Sequence, residues 1–177
     1  MDHHHALHRG FRWQVPAQVN WFELCCARWA RLTPQAIAVI AEDEHGGVVA
    51  RFSYAELHNA ALRLATALAE RGVARGDRVA IVMPQRFETT VAHMAVSALG
   101  AVAMPLSMLF GPEALLFRLN DSGAKLAIAD ESSMHNLLAV AGACAALQHV
   151  MAAGHAAGRG SVDFDAALRC APLAQPA

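Results

Sequence analysis

Histidines concentrated near the N-terminus are the side chains of this sequence best suited to binding a metal. Four of them, His3, His4, His5 and His8, stand within the first eight residues. Imidazole is a common ligand of zinc, copper and nickel, so such a cluster could bind a metal weakly. Chain termini are commonly disordered, however, and we interpret residues 1–17 as a flexible N-terminal tail. No metal site is therefore predicted.

The four cysteines offer a second set of nucleophilic or metal-binding groups. None stands in a C-x-x-C pair, and the adjacent Cys25 and Cys26 are poorly placed to share one metal or a normal disulfide. Cys144 and Cys170 are isolated in the sequence. We expect all four to be reduced thiols, which predicts a cytoplasmic protein.

A glycine-rich stretch, AAGHAAGRGS at 152–161, comes nearest to a phosphate-binding loop. It contains Arg159 but neither threonine nor lysine, and no G-x-G-x-x-G follows a strand. We therefore expect a flexible surface connection there and no dinucleotide site. His93 is interpreted as a rim histidine, since no Ser, Cys or Asp is identifiably placed beside it. No catalytic or cofactor-binding residue is predicted in this chain.

Composition narrows the classes of partner. The net charge is −1, so the chain lacks the basic surface that nucleic-acid binding requires. No apolar run reaches the roughly 18 residues of a membrane span. The chain is nevertheless 55% hydrophobic and only 16% charged, which is apolar for its length. Such a balance predicts either an unusually rich core or a piece of a larger protein whose partner surface is missing.

Short apolar runs alternate with amphipathic segments along most of the chain. Two β-rich runs, 37–41 and 48–52, flank an acidic turn at 42–44 with two glycines, and together they predict a hairpin. The box Ser53–Glu56, of the form S-x-x-E, then begins a helix that ends near Gly72. The later predicted strands are 78–84, 102–104, 125–130 and 147–152, and the later predicted helices are 87–99, 112–121, 132–141 and 163–169.

This alternation predicts an α/β fold: a partial doubly wound, mostly parallel sheet with a leading β-hairpin. Residues 18–170 are expected to form one incomplete subdomain, followed by a tail at 171–177.

One loop of this predicted fold could contact a ligand. In GAVAMPLSMLFGPEAL (100–115), Pro105 ends a short strand because it has no N–H for the ladder, and Pro112 begins a helix. The intervening loop lies at the carboxyl end of a strand, where open α/β sheets usually bind ligands. Ser107, Met108 and Phe110 are therefore candidate substrate-binding residues. A plain strand-to-helix connection is the alternative interpretation.

The order of these motifs resembles that of adenylate-forming enzymes, and more narrowly acyl-CoA synthetases of the acetyl- and medium-chain type. YAEL (54–57) resembles their Y-x-E-L box, and LGAVAMPL (99–106) resembles their GA-x-x-x-P-L box. DSGAKLAIAD (121–130) is similar to the segment that follows, and the resemblance covers residues 18–152. It implies that the fold is the N-terminal part of the AMP-binding large domain.

The resemblance also implies an activity. Such enzymes activate a carboxylic acid with ATP, releasing pyrophosphate, and transfer the acyl group to coenzyme A. ATP, Mg²⁺ and coenzyme A would thus serve the complete parent enzyme, with a carboxylic acid as substrate. The family's phosphate loop, approximately T-S-G-T-T-G-x-P-K-G, and its late catalytic lysine have no counterpart in this chain.

Two functional interpretations follow from that departure. The chain is expected to be an N-terminal fragment of a synthetase that is not catalytically competent alone. Its partner would be the remaining portion of the synthetase or a second copy of itself. The alternative is a standalone α/β binding or interaction module that pairs with a separate catalytic partner.

Overall fold

The elements before the main sheet form a helical segment and a hairpin. The computed structural model of the chain describes residues 3–43 and 45–177. The first helix, α1 (His3–Gly10), is separated by an extended segment from a π-helical turn (Glu23–Ala27) that continues into α2 (Arg28–Leu32). The strands β1 (Ile37–Glu42) and β2 (Val48–Ser53) then pair antiparallel. The predicted hairpin is confirmed; Glu44 of the acidic turn lies outside the described residues.

Five parallel strands form the main sheet in the order β4-β3-β5-β6-β7. They are β3 (Arg78–Val82), β4 (Val102–Pro105), β5 (Leu126–Ala129), β6 (His149–Ala152) and β7 (Val162–Asp163). All four residues of β5 are completely buried. Both faces of this parallel sheet are covered, and this explains why the strand is a continuous apolar run without polar residues in alternation.

Helices cover the sheet on both faces, which confirms the predicted doubly wound α/β fold. The helices are α3 (Tyr54–Glu70), α4 (Phe87–Ala98), α5 (Pro112–Ser122), α6 (Met134–Ala141) and α7 (Phe164–Ala167). On one face, residues such as Ile81 and Ile128 pack with α3, α4 and α7. On the other face, the alternate residues Val82 and Ala129 pack with α5 and α6. The period-two alternation of the strands thus divides the core into two layers.

Local sequence signals account for the helix starts. The Ser53 hydroxyl accepts a hydrogen bond from the Glu56 amide at 3.3 Å, and the Glu56 carboxylate accepts one from the Ser53 amide at 2.7 Å. This is the predicted capping box, which satisfies two amides that the first helical turn leaves unpaired. Pro112 occupies the first turn of α5, as predicted, and Gly123 ends that helix in the left-handed conformation.

Pro105 is the last residue of β4, one position beyond the predicted end. The amides of Val102 and Leu106 donate to the carbonyl oxygens of Asp77 and Ile81 on the side of β3. By alternation, the nitrogen of Pro105 faces away from β3, toward the open edge of the sheet. An edge strand tolerates proline in that position because no ladder hydrogen bond is lost.

The glycine-rich stretch at 152–161 begins in the core and ends at the surface. Ala152, Ala153 and Ala156 are buried, and residues Gly154–Ala156 form a 3₁₀ turn. Small side chains let this segment pack into the core beside β5 and β6. Residues 157–159 and 161 are exposed, so the predicted surface connection describes the second half of the stretch.

Candidate functional site

The carboxyl ends of β3 and β5 form the crevice in which this fold would bind a ligand. The two strands are neighbours, but the helices that follow them, α4 and α6, pack on opposite faces of the sheet. The loops after β3 and β5 therefore diverge. Such a switch in winding opens a crevice at the carboxyl edge of a doubly wound sheet.

Four charged side chains meet in this crevice, and we refer to Arg86, Glu88, Asp130 and Glu131 as the carboxyl-edge network. The Arg86 guanidinium donates to Glu88 at 2.9 and 3.1 Å and to Asp130 Oδ2 at 3.3 Å. It also lies 3.6 Å from Glu131 Oε1. Hydrogen bonding to Glu88 raises the pKa of Arg86, although its burial opposes that shift. One arginine thus joins the loops that follow β3 and β5.

Asp130 is the buried member of the network, with 1% of its surface exposed. Its Oδ1 accepts hydrogen bonds from the amide and the hydroxyl of Ser132, at 3.1 and 2.5 Å. With Oδ2 bonded to Arg86, both carboxylate oxygens have partners. A buried carboxylate requires such compensation, because an unpaired charge in the core is very unfavourable.

Glu88 shows how the network balances its charges. Burial acts to raise the pKa of Glu88, but the hydrogen bonds from Arg86 and from its own backbone outweigh it, and the pKa lies below its ordinary value. Glu88 is therefore ionised at neutral pH and satisfied by Arg86.

The glycine-rich segment beside the network does not fit a phosphate. Its one amide directed at an anion, that of His155, donates to Glu131 Oε2 at 3.0 Å. A Cβ added at Gly154 would lie 2.7–2.9 Å from Arg86 and Glu131 side-chain atoms, so the chain's own side chains already occupy this space. In addition, the described residues contain no group of three or more His, Cys, Asp or Glu arranged to bind a metal ion. The Gly154 corner of the crevice is thus filled by side chains of the chain itself.

The loop after β4 holds the candidate substrate-binding residues. Ser107 and Met108 line a cavity of about 430 Å³ between the carboxyl ends of β3 and β4. Its other walls include the apolar Ile81, Met83, Pro105 and Leu106 and the polar Gln85, Thr89 and His93. The Ser107 hydroxyl accepts a hydrogen bond from the Leu109 amide at 3.2 Å, which fixes the turn. The structure therefore brings these two candidates together beside an open cavity with both apolar and polar walls.

Phe110 lies apart from them. Its ring packs against the core beneath α5 and α6, and the Arg118 guanidinium lies 4.1 Å from the ring centroid. Its carbonyl oxygen accepts a hydrogen bond from the Asn136 side chain at 3.2 Å. Phe110 anchors the loop to α5 and α6, whereas Ser107 and Met108 face the cavity.

His93 lies on the wall of the same cavity and of a second one toward Trp21. Burial lowers the pKa of His93, so its imidazole is neutral at pH 7. A neutral imidazole there presents one donor and one acceptor to the cavity.

Comparison with models of protein families identifies the family to which the chain belongs. The model of the family described as AMP-binding enzymes matches residues 26–171, which is most of the chain. The chain belongs to the AMP-binding enzyme family.

Individual members of the family agree with this assignment. Acetyl-coenzyme A synthetase of Saccharophagus degradans is 35% identical over 136 residues, and the human protein named "Acetyl-coenzyme A synthetase 2-like, mitochondrial" is 36% identical over 116 residues. These alignments cover 76% and 66% of this chain but only 21% and 17% of the two relatives. The chain therefore spans about a fifth of the length of these AMP-binding enzymes.

Solved structures show the same partial coverage. The Brucella canis acyl-CoA synthetase superposes with a TM-score of 0.78 at 23% identity, over 94% of this chain and 30% of its own. A Mycobacterium tuberculosis fatty acyl CoA synthetase superposes with a TM-score of 0.73 at 26% identity, over 88% of this chain and 29% of its own. The fold described above thus corresponds to about 30% of each of these two synthetase structures.

Sequence reasoning did not identify the carboxyl-edge network. The available signal was positional: Arg86 comes shortly after the predicted strand 78–84, and Asp130 is the last residue of the predicted strand 125–130. Parallel neighbours end at the same edge of a sheet. Strand order is what makes β3 and β5 neighbours, and sequence periodicity does not report it.

No helix in the described part of the chain is long and apolar enough to cross a membrane.

Proposed function

We propose that this chain is the N-terminal part of an ATP-dependent acyl-CoA synthetase, an enzyme that converts a carboxylic acid, ATP and coenzyme A into acyl-CoA, AMP and pyrophosphate. One observation carries the proposal: 94% of the chain superposes on an acyl-CoA synthetase while covering 30% of that enzyme. The identity of about a third to acetyl-coenzyme A synthetases supports the same reaction class.

In this proposal the chain contributes framework and one wall of the substrate site, while the phosphate-binding and acid-activating groups come from the rest of the enzyme. The glycine-rich segment supports this division, since its anion-directed amide is already bonded to Glu131. ATP, Mg²⁺ and coenzyme A would therefore bind only in the complete enzyme, and the chain alone would be inactive.

Ser107 and Met108 are the proposed substrate contacts. They line an open cavity at the carboxyl edge, and the loop that carries them is fixed by backbone hydrogen bonds at both ends. Apolar walls with a few polar groups suit part of an acyl or cofactor chain. Phe110 supports the loop from behind.

The partner in this proposal is the remaining portion of the synthetase, and exposed apolar side chains mark where it could pack. The hairpin and the nearby helical segment expose several large ones: Trp21, Leu24, Trp29, Leu32, Ile37, Ile40, Val48 and Val49. Surfaces of this kind are rare on monomers and favour association. In the absence of the remaining portion, a second copy of the chain would occupy them.

A segment exchange tests the proposal. The matched segment of the Saccharophagus degradans acetyl-coenzyme A synthetase would be replaced by this chain's, and ATP–pyrophosphate exchange measured with acetate. Exchange above that of the relative with its segment deleted supports the proposal. A folded chimera without exchange, or exchange by this chain alone, contradicts it. If the chain instead captures an intact synthetase that retains its own matching segment, the interaction-module alternative is favoured.

A cytoplasmic location is part of the same proposal. All four cysteines of the chain are free thiols, and Cys26 and Cys144 are buried as apolar groups. Burial raises the pKa of Cys26 to about 12, so this thiol is unreactive at neutral pH. Unpaired cysteines are typical of reducing compartments.

A further inference from the structure

The helix α1 gives the N-terminal histidines a geometry that a tail would not. His4 and His8 lie one helical turn apart, and their ring centroids are 6.2 Å from each other with an interplanar angle of 34°. Both side chains are exposed. Residues at positions i and i+4 project from the same face of a helix, so the two imidazoles lie side by side.

We propose that His4 and His8 chelate one borderline divalent cation, of the class of Zn²⁺, Ni²⁺ and Cu²⁺. Two imidazole nitrogens at about 2.0–2.1 Å from one ion would place the ring centroids about 5 Å apart. The observed separation is 6.2 Å, so metal binding requires the two exposed rings to move about 1 Å closer. Paired histidines four residues apart on one helix face are an established way of presenting two ligands to one ion.

The surroundings leave room for the ion and its remaining ligands. His4 and His8 line an open cavity of about 470 Å³ whose other walls are Phe11 and Trp13. Those two rings pack edge to face, 5.0 Å between centroids. No third His, Cys, Asp or Glu of the described residues completes a metal-binding group there. In the proposed site, His4 and His8 supply two ligands, and water or an external ligand can take further coordination positions.

Binding would order the helix that carries the site. A helix of eight residues is marginal in isolation, because it has few hydrogen bonds to offset the cost of nucleation. A cross-link between positions i and i+4 favours the helical state over the extended one. Metal binding and helix formation are thus coupled in the same segment.

Calorimetric titration of the full chain with Ni²⁺ tests the pairing. Because Cys25 is an exposed thiol, every protein would carry Cys25→Ser. His4→Ala and His8→Ala are each expected to weaken Ni²⁺ binding by about tenfold or more, the loss expected when one of two ligands is removed. His5→Ala is the matched control, a neighbouring exposed histidine whose removal should change affinity less than about twofold.

Each other pattern overturns the pairing. Equal losses for His4→Ala, His5→Ala and His8→Ala indicate binding by an unstructured histidine cluster. If His4→Ala keeps the Ni²⁺ affinity of the parent and His5→Ala loses it, His8 binds the ion together with His5 and not with His4. If the parent protein does not bind Ni²⁺, the proposed site does not exist. Far-UV circular dichroism gives a second readout: saturating Ni²⁺ should increase helix content in the parent and in His5→Ala, and leave it unchanged in His8→Ala.

Discussion

The guanidinium of Arg86, in the loop after β3, lies 3.3 Å from the completely buried carboxylate of Asp130, in the loop after β5. The contact joins two segments 44 residues apart in the sequence. It also lies where α4 and α6 diverge to opposite faces of the sheet. One arginine and the carboxylates around it therefore tie together the two loops that diverge at this point of the sheet.

Replacing Arg86 should destabilise the fold strongly. Arg86→Gln leaves the Asp130 carboxylate buried without its cation, and we expect the free energy of unfolding to fall by about 3 kcal/mol. Urea denaturation measures this directly. Arg31→Gln is the matched control, since the Arg31–Glu23 pair is exposed and its loss should change the free energy of unfolding little. A double variant, Arg86→Gln with Asp130→Asn, should recover part of the loss; equal effects of Arg86→Gln and Arg31→Gln would contradict the proposed importance of the network.

Stability should fall in two stages as the pH is lowered. Burial lowers the pKa of His93 and His58 below the ordinary 6.5, with the charge of Arg31 adding to the effect at His58. The unfolded chain therefore binds protons first, and the stability present above pH 6.5 is lost as the pH falls through the lower folded values. Glu88, whose folded pKa lies below 4.5, gives a second decline below that pH.

His93→Gln isolates the first stage. The substitution removes a titrating group while keeping a polar side chain of similar reach, so the slope of unfolding free energy against pH just below 6.5 should become shallower. The decline below pH 4.5 should remain unchanged. Urea denaturation from pH 4 to 8 measures both, and an unaltered upper slope in His93→Gln would show that His93 does not contribute to it.

Local sequence signals predicted most of the fold, and the exceptions have physical causes. Three local signals each predicted an element correctly, because each acts within a few residues. They are the capping box at Ser53, the proline at the start of α5 and the apolar run of β5. The strand β7 was missed because it has only two residues, too few to show a period.

The site was harder to predict than the fold. Ser107 and Met108 were chosen from their place after a strand, and the structure places both at a cavity. Phe110 stands in the same loop but faces the core, since loop conformation rather than sequence spacing decides where each side chain points. The Arg86–Asp130 contact depends on strand order, which is a property of the whole sheet.

The exposed face of the hairpin should drive self-association of the isolated chain. Ile40 and Val49 are 53% and 65% exposed on β1 and β2. Ile40→Lys with Val49→Lys should shift the chain toward monomer in light scattering coupled to size exclusion, because charge on a hairpin face opposes burial. The melting temperature at low concentration should change little. Ala38→Ser, a small change on the same strand, is the control, and unchanged association in the double lysine variant would place the contact elsewhere.

The loop after β4 gives the sharpest functional prediction, tested in the segment-exchange chimera. Met108→Ala removes an apolar wall of the cavity, and we expect the KM of one substrate to rise about tenfold with unchanged stability. Phe110→Ala removes a ring packed against α5 and α6, so it should lower the free energy of unfolding by about 1–3 kcal/mol. Leu109→Ala is the control, since Leu109 is 85% exposed and should affect neither quantity. Steady-state kinetics for the acid, ATP and coenzyme A in turn identifies which substrate Met108 contacts. If Met108→Ala left all three KM values unchanged, the cavity would be no part of the substrate site, and the loop would serve only to connect β4 with α5.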